Sequence, residues 1–350
     1  MLITVFVPTY NRASRIDRVL DAVLAMKVPA GCELEYVWSD DCSTDGTFEI
    51  LQRKAAEYRG PWKIILNRNP ENLRLARHVQ AIGKIGHGEW FVECDSDDIP
   101  FPERLCILAD AIKKYPDMKG FCSGKNINGK YSGVFGKQLF PCGATCCWHR
   151  NCFTSFSSEV EQTWSQDVYI PFRALLLGGT WVFADVATVD YVIAEDNAST
   201  PLGLDRIESL LHLVKIKEHL ILAIRQRLHD LALMPPDNRD AERILREKHE
   251  FLIARLEREI ERTRFMAVYL QAGMREKLSL LKNLPETIKN NRKERLRLWL
   301  YFFPAIGNLR FAVGRMRFGQ TEEKSEPTGK YFPVDLDFIV KNPNEFLIML

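Results

Sequence analysis

Apolar residues fill positions 3–7, a polar turn covers Pro8 to Arg12, and Ile16, Val19, Leu20, Val23 and Leu24 then follow at helical spacing. A short apolar run followed by a 3.6-residue period predicts a strand, a loop and an amphipathic helix. Ser14 with Asp17 three residues later predicts a capping box at the start of that helix. The cycle then repeats. A strand over Glu35–Trp38 leads through a loop with Asp40, Asp41, Ser43 and Asp45 to a helix from Thr47 to Tyr58. A strand over Trp62–Leu66 leads through an Asn/Pro loop to a helix from Leu73 to Ile85. A strand over Trp90–Glu93 ends in Asp95-Ser96-Asp97-Asp98, and Pro102 opens the next helix. Such alternation implies right-handed crossovers, hence an α/β fold with a mostly parallel sheet sandwiched by helices.

Beyond Gly120 the pattern changes to short strands with Gly-rich turns, a helix over Gln166–Leu177, and strands over Thr180–Ala184 and Val186–Ile193. After Pro201 come two long helical stretches, Asp205–Leu233 and Asp240–Leu284, separated by Met234-Pro235-Pro236. Leu245, Leu252, Leu256 and Ile260 form one apolar stripe, a packing face for the first long helix or for a second copy of the chain. In the segment 288–318, Arg292, Lys293, Arg295, Arg297, Arg310, Arg315 and Arg317 are interleaved with Leu298, Trp299, Tyr301, Phe302, Phe303 and Phe311. That mixture suits the surface of an anionic membrane. The chain thus divides into an α/β domain (1–204), a long-helix region for packing or oligomerisation (205–284) and a basic-aromatic C-terminal region (285–350).

Composition sharpens this division. The net charge of +2 over 350 residues conceals −4 over residues 1–204, +9 over 205–318 and −3 over 319–350. An acidic front half without a recognised binding motif excludes nucleic acid as the expected partner. No stretch reaches the ~18 apolar residues needed to span a bilayer, and no leader pattern precedes the first strand. Nine cysteines, an odd number, read as reduced thiols of a cytoplasmic protein, at most peripheral at the inner face of the cell membrane. Cys142, Cys146, Cys147 and Cys152 lie near His149 but lack paired Cys-x-x-Cys knuckles, so they read as small buried hydrophobes rather than a zinc site.

The chemistry gathers at the strand ends. Ligands of parallel sheets sit beyond the carboxyl ends of the strands, where Pro8–Arg12, Asp40–Asp45, Asn67–Asn72 and Asp95–Asp98 all fall. Three carboxylates leaving a buried strand repel one another and are costly to desolvate. The counter-charge suited to clustered carboxylate oxygens is a hard divalent cation, Mn²⁺ or Mg²⁺, shared with a diphosphate.

These residues resemble the family-2 glycosyltransferases, inverting enzymes of the GT-A fold. Pro-Thr-Tyr-Asn-Arg at 8–12 matches the family's first-strand signature. Asp-Asp-Cys-Ser-Thr-Asp-Gly-Thr at 40–47 resembles the second, with Cys42 where Gly is usual. Asn69-Pro-Glu-Asn-Leu-Arg-Leu-Ala-Arg77 resembles the third, with Arg74 where Gly is usual. Gly88 through Asp98 is similar to the acidic metal motif and its strand. Gln166-Asp167 resembles the Glu-Asp motif, with Gln replacing Glu, and Tyr191–Ser199 the closing stretch of the domain. The similarity covers residues 1–200.

The resemblance implies a UDP- or GDP-sugar donor contacted by Pro8, Tyr10, Asn11, Arg12, Asp40, Asp41, Asp95 and Ser96, with Arg74 or Arg77 near the phosphates. It implies a metal held by Asp97 and Asp95, and Asp167 as the base that activates a glycan or lipid-linked acceptor. Its helix N-terminal position is expected to favour the ionised form. A catalytically silent sugar-nucleotide- or partner-binding module is the alternative. Nucleotidyl transfer ranks last, since no Gly-rich phosphate loop follows the first strand.

Overall fold

The structure, a computed structural model, describes residues 1–133, 141–157, 159–193, 205–301 and 327–341. Four β–α cycles open it, the fourth completed by the helix that follows the fourth strand: β1 (Leu2–Thr9), α1 (Ile16–Leu24), β2 (Glu33–Asp40), α2 (Thr47–Glu57), β3 (Lys63–Arg68), α3 (Leu75–Ile85) and β4 (Trp90–Glu93). A two-residue β5 (Ile99–Pro100) precedes α4 (Arg104–Lys114). There follow β6 (Met118–Ile127), β7 (Lys130–Ser132), β8 (Cys146–His149), α5 (Asn151–Thr154), α6 (Gln166–Leu176) and β9 (Thr180–Tyr191). Then come α7 (Arg206–Leu233), α8 (Arg239–Gln271), α9 (Met274–Lys282), α10 (Glu286–Lys289), α11 (Arg292–Tyr301) and β10 (Tyr331–Val334).

One sheet carries the order β10-β9-β6-β8-β4-β1-β2-β3, with β5 on β9 and β7 on β6. The pairs β1–β2, β2–β3, β1–β4 and β6–β9 are parallel, as the β–α alternation implies. Strand β8 enters antiparallel between β4 and β6. The chain winds outward from β1 in both directions, through β2 to one side and β4 to the other. That switch point, where the loops after β1 and β4 diverge, is where such sheets bind ligands.

Side chains alternate across the pleat, so the sheet has two cores. Val5, Val7, Tyr36, Trp38 and Val92 pack with α1, α2 and α4 residues such as Val19, Leu20, Leu51 and Leu105. Phe6, Val37, Phe91, Trp148 and Trp181 pack on the other face with Val79, Ile82, Phe153, Ile170 and Leu175.

The chain forms two compact units. The first comprises Met1–Val192, Leu222–His249 and Lys324–Leu350; the second comprises Ile193–Ile221 and Glu250–Glu323. In the first unit, the C-terminal half of α7 docks on α6 through a buried ion pair: Arg173 Nε and Nη2 donate to Asp230 at 2.7 and 3.1 Å. Arg173 Nη1 also donates to Gln80 Oε1 (2.8 Å) and to the Cys152 carbonyl (3.2 Å). Such a pair stabilises only when its remaining donors are satisfied, as here. Residues 331–334 also join this unit: β10 pairs antiparallel with β9. In the second unit, Val214 and Ile221 of α7 pack on Ile260 of α8, and Lys217 pairs with Glu259 (3.1 Å). The stripe residues Leu245, Leu252 and Ile260 are all buried.

Several local expectations are corrected. Ser14 does not cap α1; Arg15 is the N-cap, without a side-chain cap bond. The Arg12 carbonyl already takes the Arg15 and Ile16 amides (both 2.9 Å), and Asp17 turns instead to Arg53 and Lys54. The two strands anticipated over 180–193 are one, β9. The helix anticipated to Leu284 stops at Gln271, before Gly273, and resumes as α9. Glycine in a helix interior costs about 1 kcal/mol relative to alanine, which favours the break there. Residues 194–199 of the closing motif and 302–318 of the basic-aromatic segment lie outside the described residues.

Candidate active site

Parallel pairing of β1 with β2 and of β2 with β3 aligns Thr9 with Asp40 and Asp40 with Arg68, bringing three loops to one edge. Asp40, fully buried, accepts from the Ser43 amide (2.9 Å) and faces Arg68 Nε at 3.5 Å. Asp41 accepts from Asn69 Nδ2 (2.8 Å), the Leu73 amide (2.9 Å) and the Arg74 amide (3.0 Å). Both carboxylates thus build the loop walls. Asn11 does likewise: its amide donates to Ser43 Oγ (2.8 Å) and its Oδ1 accepts from the Thr44 amide (3.0 Å).

Pro8 is buried at the end of β1, and Tyr10, just past it, is 42% exposed. Arg12 reaches across the switch point, its Nη2 3.5 Å from Asp97 Oδ2. Arg74 is exposed, and Arg77 spends its Nε on the Val160 carbonyl (2.9 Å). Ser96 is buried among the acids.

Past β4, oxygens of Asp95, Asp97 and Asp98 lie within 4.8 Å of one another. Asp98 Oδ1 accepts from the Val192 amide (2.8 Å), whereas its buried Oδ2 has no hydrogen-bond partner. A buried carboxylate oxygen with no donor, beside two more carboxylates, fits a hard divalent cation. Burial, then the charges of Glu93, Asp98, Asp97 and Asp167, push the Asp95 carboxyl well above its usual range. Asp97 and Asp167 thus both act on Asp95, after Glu93 and Asp98.

Asp167 is the second residue of α6, half-buried, with the Gly143 amide donating to its Oδ2 at 3.3 Å. Burial outweighs that bond and nearby Lys125, and pushes its carboxyl up to about 6. The helix N-terminus thus does not hold this group at ordinary carboxylate acidity; desolvation dominates. Beneath it, Gln166 Nε2 donates to Glu93 Oε1 (2.8 Å), and burial pushes Glu93 up to about 8.

Lys125, which the sequence reading did not single out, completes the cluster. It lies on β6, 3.2 Å from Cys142 Sγ and 3.7 Å from the centre of the Tyr191 ring. It offsets the charges of both Asp98 and Asp167. Arg104 is the second cation missed, wholly buried beneath the cluster with Nη2 on the Cys146 carbonyl (3.3 Å). An interrupted apolar pattern at Lys125 was the only signal. Cys146, Cys147 and Cys152 are buried in the sheet and in α5.

The mixed, mostly parallel sheet with its carboxylate-lined switch-point cleft has the GT-A type of fold. Within that class, residues 4–134 match the model of glycosyl transferase family 2. The chain is 31% identical over 114 residues to an uncharacterized glycosyltransferase of Mycoplasma pneumoniae, covering 33% of this chain and 38% of that one. It is 30% identical over 118 residues to the abequosyltransferase RfbV of Salmonella typhimurium, 34% of each chain. The chain thus spans under half the length of these curated relatives. The crystal structure of Staphylococcus aureus TarS 1–349 in complex with UDP-GlcNAc shares the fold at 19% identity and a TM-score of 0.52, over 95% of this chain and 96% of that one. Among the described residues, no helix is long and apolar enough to cross a membrane.

Proposed function

We propose that the chain is a metal-dependent, inverting glycosyltransferase, moving a sugar from a UDP- or GDP-sugar to a hydroxyl of a glycan or lipid-linked acceptor. The observation supporting this reading best is the close set of Asp95, Asp97 and Asp98 oxygens past β4, with the charge of Asp167 acting on Asp95 as well. Tyr10 stacks on the donor base, and Pro8 with the Asn11 and Asp41 loops shapes its seat. Asp97, Asp95 and Asp98 would hold Mn²⁺ or Mg²⁺, which would supply Lewis-acid neutralisation of the departing diphosphate. Arg12, already beside Asp97, adds a cation on the phosphate side. Asp167 takes the acceptor hydroxyl's proton as that oxygen attacks the anomeric carbon opposite the leaving group. Bacterial surface glycan is the product class proposed here. The basic-aromatic residues after 285 hold the enzyme peripherally at an anionic membrane, and the helices of 240–284 offer a surface for self-association.

The test is release of nucleoside diphosphate from a panel of UDP- and GDP-sugars with Mn²⁺, Mg²⁺ or chelator. Metal-dependent turnover, lost in Asp97→Ala and in Asp167→Asn, is expected, with Asp167→Asn retaining donor binding. Metal-independent binding with no turnover across donors and acceptors would establish the silent module instead.

A further inference from the structure

The second unit contains a concentration of positive charge that the proposed reaction does not use. Arg258 and Arg262 lie one turn apart on α8 and so share a helix face. Together with Arg292 and Lys293 in the first turn of α11 and Asn290 beside them, they line an open hollow of about 650 Å³. Among the described residues, none of these four cations forms an ion pair, although α8 is otherwise laced with them: Arg243 with Glu247, Arg246 with Glu242, Arg255 with Glu259. The one carboxylate in the lining, Glu286, is already neutralised. Lys289 Nζ donates to its Oε1 (3.0 Å) and Asn290 Nδ2 to its Oε2 (3.0 Å).

The second observation is Arg262 itself. Its Nε is shielded from solvent and has no hydrogen-bond partner. A guanidinium N–H withdrawn from water without an acceptor is costly, and native structures rarely leave one so. Four cations around one hollow, unpaired among the described residues and one of them with a sheltered donor, suit a multivalent oxyanion with several acceptor oxygens. Guanidinium groups bind phosphate through paired N–H donors, whereas lysine acts as a point charge.

We propose that this hollow is a phosphate-binding site: Arg258, Arg262 and Arg292 donate to the oxygens of one phosphate group, and Lys293 balances its charge. The phosphate comes from a soluble phosphoryl compound or from a lipid headgroup; the shared chemistry is the tetrahedral oxyanion. This inference does not depend on the catalytic reading. It differs from general attraction to an anionic surface in requiring saturable, phosphate-selective binding without lipid.

The full chain is titrated with inorganic phosphate against chloride at matched ionic strength, following the melting temperature, since a ligand that binds only the native state raises it. The wild type is expected to show a saturable rise. In Arg262→Gln/Arg292→Gln the apparent affinity falls about tenfold or more, the loss expected when charge-assisted hydrogen bonds are removed. Arg12→Gln, altered in the catalytic cleft, keeps the rise. The single variant Arg292→Gln, at an exposed position, gives an intermediate loss and guards against misfolding of the double variant. Co-sedimentation with phosphatidylglycerol vesicles separates the sources. Binding that inorganic phosphate competes away assigns the headgroup to this hollow, whereas phosphate binding without vesicle binding assigns a soluble ligand. Equal rises in wild type and double variant, or no saturable rise, overturn the site, even if vesicles still bind through charge alone.

Discussion

Replacing Arg74 by glycine should make the protein more stable, although it removes a cation beside the cleft. Arg74 is the N-cap of α3, with φ 68° and ψ 160°. That region belongs almost solely to glycine, and a side chain held there costs of order 1–3 kcal/mol. The surrounding loop imposes it. The Arg74 amide donates to Asp41 (3.0 Å) and to Asn72 Oδ1 (2.9 Å), while the Leu73 amide and Asn69 Nδ2 bind the same Asp41 carboxylate. Glycine relieves the strain but adds about 0.4–1 kcal/mol of unfolded-chain freedom. The net gain is about 0.5–2 kcal/mol, read as a rise of a few degrees in melting temperature for a domain of this size. Arg74→Ala is the control, because it removes the same side chain and keeps the strain. Urea denaturation of the three proteins isolates the backbone contribution as the difference between glycine and alanine. A glycine variant no more stable than the alanine variant would refute the strain. Donor affinity should fall equally in both if the guanidinium lies near the phosphates.

Asp230→Ala leaves Arg173 buried without its carboxylate partner, and breaking such a pair costs about 3–5 kcal/mol, measurable by chemical denaturation. His249, buried against α6, has its pKa pressed down to about 3 by burial and then by Arg227. The unfolded chain takes up this proton near 6.5 and the folded chain near 3, so stability is full above the first value and falls as pH drops towards the second. The expected loss is of order 2–4 kcal/mol, and His249→Leu should flatten that part of the stability–pH curve. Asp167 acts deprotonated, so kcat in the proposed reaction should decline as pH falls through about 6, and the limb should vanish with the activity in Asp167→Asn.

The four opening β–α cycles were legible because each element carries its own period within ten residues or so. What the sequence concealed depends on distant partners. β9 looked like two strands because Asp185 interrupts its apolar run. The carboxylate is satisfied by the Thr328 amide (3.0 Å), the Thr328 hydroxyl (2.6 Å) and the Tyr131 hydroxyl, of which Thr328 lies 143 positions away. β10 contains Pro333, which weakens any strand signal there, yet a proline is tolerated on an edge strand, which is where it pairs. β8 is four residues within a cysteine-rich stretch, and nothing local predicts its insertion between β4 and β6.

The departures from the family pattern become intelligible in the same way. Cys42 and Arg74, at the two motif positions where glycine is usual, both have positive φ (64° and 68°), so the loops retain glycine-type backbones under other side chains. Gln166 has a different cause. It meets Glu93, a fully buried acid whose proton is retained up to about pH 8 because burial disfavours its charge. A glutamate at 166 would place two buried carboxyls within hydrogen-bond distance, requiring a shared proton or a nearby cation. The amide donates to one Glu93 oxygen without adding charge. It thereby leaves Asp167, among these three neighbouring side chains, as the one that ionises near neutral pH, the condition a base needs in a cleft already crowded with acids.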